Sequence, residues 1–122
     1  MSAANHDFWT ALDTLVRSSR IVIDRPQGSA HPRYPELIYP RPYGYLDGTY
    51  AADGGGIDVW LGSNSNTAVD AIVCSIDLVK RDGEIKVLLG CSLDDRRTIL
   101  EFMKRSALGA LLVERDAARV RG

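Results

Sequence analysis

The chain has 122 residues, 45% of them hydrophobic and 25% charged, which suits one domain with its own core. With 15 basic against 16 acidic side chains the net charge is −1, so composition offers no basic surface for nucleic acid and no tail for a membrane. No apolar run approaches the ~20 residues of a membrane span, and MSAANHDFWT lacks the basic start and apolar centre of a secretory signal; a soluble cytoplasmic protein is expected.

From about Asn5 to Val16 the residues Phe8, Leu12, Leu15 and Val16 recur at helical spacing, and Asn5 is available as a cap, which predicts an amphipathic N-terminal helix. RIVIDRP then reads as a short strand. Between Gln27 and Gly56 proline and glycine become dense, so loops and short strands are expected there. All five tyrosines fall between Tyr34 and Tyr50. They could form a stacking platform for single-stranded nucleic acid, but a platform also wants a basic groove; packing of a loop-rich core is the plainer expectation.

In DAIVCSIDLVKRDGEIKVLLGCS, two β-branched apolar runs flank Asp82-Gly83, a dipeptide suited to a type I′ turn. That turn makes Arg81 oppose Glu84 and Cys74 oppose Cys91. It places Cys74, Ile76, Leu78 and Lys80 with Ile85, Val87, Leu89 and Cys91 on one face, and Asp77, Val79 and Arg81 with Glu84, Lys86 and Leu88 on the other. The two cysteines lack a CxxC spacing or a nearby histidine, so they read as buried thiols.

A second helix should begin at Ser92 as cap, with Asp94 and Asp95 in its first turn and Ile99, Leu100 and Met103 as its apolar stripe. Gly109 closes its exit turn, ALLVER reads as a last strand, and DAARVRG as a tail or short terminal helix. Strands in the middle with helices near both ends predict a single mainly β, α+β domain over residues 1–122: a small OB-like β-barrel or a curled antiparallel sheet with flanking helices.

Asp53-Gly-Gly-Gly-Ile-Asp58 sets three glycines between two carboxylates. An ordinary glycine loop capped by aspartates accounts for it. So does a metal site, because two aspartates that share one hard cation need a tight turn and close approach of the backbone. The wider run HPRYPELIYPRPYGYLDGTYAADGGGIDVW, with DGEIKVLL downstream, resembles the soluble magnesium-dependent inorganic pyrophosphatases of the single-barrel type. That family carries Tyr-Pro-x-x-Tyr-Gly-Tyr, then Thr, then Asp-Gly-Asp-Pro-x-Asp, then an acidic residue with Lys two positions on. Here these are Tyr39 to Tyr45, Thr49, Asp53 to Asp58, and Glu84 with Lys86.

The resemblance covers about Ile21 to Trp60 and Val79 to Leu89. It implies Mg²⁺, with Mn²⁺ as an alternative, held by Asp53, Asp58 and Glu84, with Asp82 and Asp24 as further carboxylates. It implies phosphate contacts from Lys86, Tyr43 and Arg33, with Glu36 supporting, and hydrolysis of pyrophosphate by metal-activated water. It also points to self-association. The sequence departs from the family at Gly55, where the proton-accepting aspartate stands, and at Gly56, where proline stands. The family's arginine hairpin is absent, leaving Arg41 or Arg25 to substitute, and the late Tyr-Lys contact has no counterpart. Two further readings therefore stay open: hydrolysis of another phosphoester or diphosphate in a more open cleft, and a non-catalytic phosphate- or metal-binding module.

His6 and His31 read as surface or capping groups, Ser63 and Ser65 as turn residues, Trp60 as a core anchor, and Arg96 and Arg97 as a solvated helix face.

Overall fold

The computed structural model describes residues 7–106 and 108–115. Helix α1 spans Phe8–Arg17, followed by β1 (Ile21–Arg25), β2 (Tyr43–Leu46), β3 (Ile57–Leu61), β4 (Val69–Asp77), β5 (Asp82–Leu89), α2 (Leu93–Arg105) and β6 (Gly109–Glu114). The strands form one sheet in the order β1-β2-β3-β5-β4-β6. All neighbours are antiparallel except β3 and β5, which run parallel. This is the expected mainly β, α+β class in open form. The barrel is not realised: β1 and β6 are the outer strands and stay unjoined, and the β3–β5 pair makes the sheet mixed rather than antiparallel throughout.

Adjacent residues on a strand point to opposite faces, so each face feeds its own core. On one face Trp60, Val73, Leu88 and Cys91 pack with Ile99, Phe102 and Met103 of α2. On the other, Val59, Ile72, Val87 and Leu89 pack with Leu12 and Val16 of α1. One helix packs on each face, so each face has its own core without closure of the sheet. Trp60 is 1% exposed, the core anchor expected of it.

Several local expectations need correction. Asp7 caps α1 by accepting from the Thr10 N–H at 2.8 Å; Asn5 and His6 lie outside the described residues, as does the tail from residue 116. Phe8 is half exposed and contributes little to the helix stripe. The β4–β5 register differs from the one an Asp82-Gly83 turn would set: Asp77 pairs with Asp82, and Glu84 faces Ser75 rather than Arg81. The cause is the Asp77 carboxylate. It accepts from the N–H groups of Val79 and Lys80 at 2.9 and 3.1 Å, fixing a longer connection that ends at Arg81 in the left-handed region, φ 60°.

That displacement is even, so the faces survive it and Glu84 and Lys86 still project together. The cysteine pairing does not survive. Cys74 opposes Ile85, while Cys91 belongs to the core on the far face; both thiols are free. Arg96 is also misplaced on a solvated face. It is 7% exposed, donates to the Cys91 carbonyl and pairs with Glu114, whereas Arg97 is exposed as expected.

Candidate functional site

The α2 face of the sheet is covered only in part. Beyond the C-terminal end of α2 lies an open cleft of about 550 Å³. Its floor is the sheet itself: Tyr43 from β2, Asp58 and Trp60 from β3, Asp82, Glu84 and Lys86 from β5, Ser75 and Asp77 from β4. Two loops form its walls. The segment after β1 folds back on itself: the Gly28 N–H donates to the Tyr39 carbonyl, the Tyr39 N–H to the Ser29 carbonyl and the His31 N–H to the Leu37 carbonyl, which brings His31, Arg33 and Tyr34 over the floor. The loop between β2 and β3 contributes Asp53. Thr49 pins that loop, donating its hydroxyl to the Leu46 carbonyl at 2.7 Å and accepting from the Ile57 N–H at 2.9 Å.

The three glycines have different physical roles. Gly54 sits at φ 88°, where a side chain is strained, and a Cβ on Gly56 would come within 2.9 Å of the Leu46 carbonyl oxygen. A Cβ on Gly55 would meet only an oxygen of Asp53, at 3.5 Å, and its backbone is not left-handed. The loop therefore needs glycine at 54 and 56, and at 55 has room for a side chain it does not carry.

At the cleft's centre is Lys86, directly beside Asp58 in the parallel β3–β5 register. Its Nζ donates to Asp58 Oδ2 at 2.7 Å and to Glu84 Oε1 at 2.9 Å, with only 11% of the side chain exposed. Burial pulls the ammonium's pKa down, but the Asp58 and Glu84 carboxylates outweigh it and hold the group above its ordinary value. Glu84 is also raised: burial is the largest cause, and Asp53 and Asp58 add to it against the opposing pull of Lys86. Asp53 moves the other way, lowered chiefly by the Gly55 N–H, which donates to it at 2.9 Å. The Lys86 Nζ lies 5.8 Å from the centre of the Tyr43 ring, and burial pushes the Tyr43 pKa well up, so its hydroxyl stays protonated.

Asp53, Asp58, Asp82, Glu84, Lys86, Tyr43 and Arg33 thus line one cleft, although they come from separate stretches of the chain. Arg41 does not join them; its guanidinium donates to the carbonyls of Leu61 and Gly62 and holds the end of β3. Asp24 is exposed on β1, and Asp24, Arg25 and Glu36 stand outside the cleft lining. His31, Ser75, Lys80 and Phe102 belong to it without any signal in sequence spacing. Tyr34, Tyr39 and Tyr43 pack against the α2-side core, as loop-packing tyrosines should, whereas Tyr50 is 83% exposed.

The oxygen donors have the chemistry for Mg²⁺ or Mn²⁺. Asp58 and Glu84 already converge on one cationic atom, the Lys86 nitrogen, which stands where an ion between them would. As they stand, no three His, Cys, Asp or Glu side chains among the described residues are grouped closely enough to hold an ion. Five carboxylates against three cationic side chains line the cleft, so its own charge is negative. A polyanion enters such a site only in the company of cations.

A scan against protein-family models finds no match to this chain, and comparison with curated proteins finds none either. No helix among the described residues is long and apolar enough to cross a membrane.

Proposed function

We propose that the cleft binds a diphosphate together with Mg²⁺ and hydrolyses its phosphoanhydride bond, with inorganic pyrophosphate as the simplest substrate. The observation that carries this reading is the convergence of Asp53, Asp58, Glu84, Lys86 and Tyr43 from three separate stretches of chain onto one negatively charged cleft. Asp53, Asp58 and Glu84 would hold the ion, which when bound offsets phosphate charge and acidifies a water. Lys86, released from its carboxylates, and Arg33 would hold phosphate oxygens by charge-assisted hydrogen bonds. Tyr43, kept protonated by burial, would donate a hydrogen bond to a phosphate oxygen without adding charge. Gly55 supplies no group to take the water's proton, so turnover is expected to be slow, a missing general base costing about 10²- to 10⁴-fold.

A second reading, a binding module without turnover, is favoured by that same glycine and by the absence of three grouped ligands among the described residues. One assay separates the two. Phosphate release from pyrophosphate is followed with and without Mg²⁺ in the parent, Asp58→Asn and Gly55→Asp. The proposal expects slow Mg²⁺-dependent release, lost tenfold or more in Asp58→Asn and raised about 10²-fold in Gly55→Asp, for which the backbone has room. Equal rates in Asp58→Asn and parent would remove the metal role of Asp58. Turnover in Gly55→Asp alone would establish the binding module.

A further inference from the structure

The cleft is larger and less polar than inorganic pyrophosphate requires. Two tetrahedral phosphates sharing one oxygen fill only a small part of about 550 Å³, a volume inside the ~300–1,000 Å³ range of pockets that enclose drug-sized ligands. Its lining holds two separate clusters: Lys86 bonded to Asp58 and Glu84, and the rings of His31, Tyr34, Tyr39 and Phe102 packed on one another.

In the aromatic part the His31 and Tyr34 rings are half-buried, 5.2 Å apart, and backed by Tyr39 and Phe102. His31 is held as one tautomer. Its Nδ1 accepts from the N–H groups of Arg33 and Tyr34 at 3.0 and 3.2 Å, so the proton of the neutral ring sits on Nε2, as a donor. Burial and the nearby Arg25 and Arg33 favour that neutral ring, with Glu36 opposing.

We propose that the ligand carries a planar ring besides its phosphates, and that the substrate class is an organic phosphoanhydride such as a nucleoside diphosphate. The ring packs against His31 and Tyr34, with His31 Nε2–H as donor to a ring or sugar acceptor, and the phosphates lie toward Lys86. In the hydrolytic step the oxygen of water forms a bond to the terminal phosphorus. The bond from that phosphorus to the bridging oxygen breaks, and the departing organic phosphate keeps the electron pair while solvent takes up the water's proton. This inference rests on the reading of the cleft as a diphosphate site.

The test is calorimetric titration of the protein in Mg²⁺ with ADP and, separately, with inorganic pyrophosphate, in the parent and in Tyr34→Ala. The expected result is ADP binding at least tenfold tighter than pyrophosphate, with the ADP-to-pyrophosphate affinity ratio falling about tenfold in Tyr34→Ala, the scale of one lost base–ring stack. Pyrophosphate binding as tightly as ADP, or an unchanged ratio in the variant, overturns the ring proposal and leaves the diphosphate reading standing. Binding of neither ligand overturns both. Should Tyr34→Ala not fold, the ratio in the parent alone decides.

Discussion

At the scale of single residues, Lys86 governs how the cleft holds together. It is 9% exposed and is the cation that Asp58 and Glu84 share. Lys86→Met keeps the side-chain length but leaves two mostly buried carboxylates facing each other, and losing one member of such a set costs about 3–5 kcal/mol. The pH dependence follows from the direction of the Glu84 shift. Its folded pKa lies above the ordinary 4.5, so its charged form weighs against the fold above that value. Without Lys86 the folded value rises further. The stability deficit of Lys86→Met is therefore full at pH 8 and shrinks on acidification through the raised Glu84 value toward 4.5. Urea unfolding of parent and variant across that range checks it; a deficit that grows with acid would contradict the assignment. Asp53, Asp58, Glu84, Lys86 and Tyr43 were singled out in the sequence through the resemblance to the pyrophosphatase motifs, and strand alternation put Glu84 and Lys86 on one face. His31 was not, because its place in the cleft depends on a loop folding back through long-range contacts.

Among the elements, the N-terminus of α2 shows how sequence signals succeed. Ser92 and Asp95 form a reciprocal capping box, and the Asp95 carboxylate also accepts from Ser63 N–H and Oγ at 2.7 and 2.8 Å, tying the helix to the turn after β3. Burial raises the Asp95 pKa, but the N–H groups of Ser63 and Ser92 more than offset this and leave it below 3.8. A lowered folded value gives stability that is fully present above 3.8 and is lost as pH falls through the folded value. Asp95→Asn keeps an acceptor but not the charge, and is expected to cost about 1–2 kcal/mol at neutral pH. Its stability should also change less than the parent's below pH 4, which thermal unfolding from pH 7 to 2 would measure. The β4–β5 hairpin shows how such signals fail. Asp82-Gly83 suits a tight turn, but Asp77 offers the backbone two hydrogen bonds earlier in the chain, and the longer connection wins. The faces were legible regardless, since strand alternation tolerates an even slip.

For the whole molecule, the class was readable from strands in the middle and helices at the ends, while openness was not. Whether β1 and β6 meet depends on how each helix covers its face, which periodicity does not encode. The open sheet leaves a cleft beside the C-terminal end of α2, and in it Asp58 and Glu84 meet at Lys86. The central proposition is that these carboxylates bind a divalent ion once Lys86 turns to phosphate. Its most direct test is a titration with Mn²⁺, followed by electron paramagnetic resonance in the presence of pyrophosphate. Saturable binding, weakened tenfold or more by both Asp58→Asn and Glu84→Gln, is the predicted result. Absence of binding, or binding indifferent to both substitutions, would contradict it.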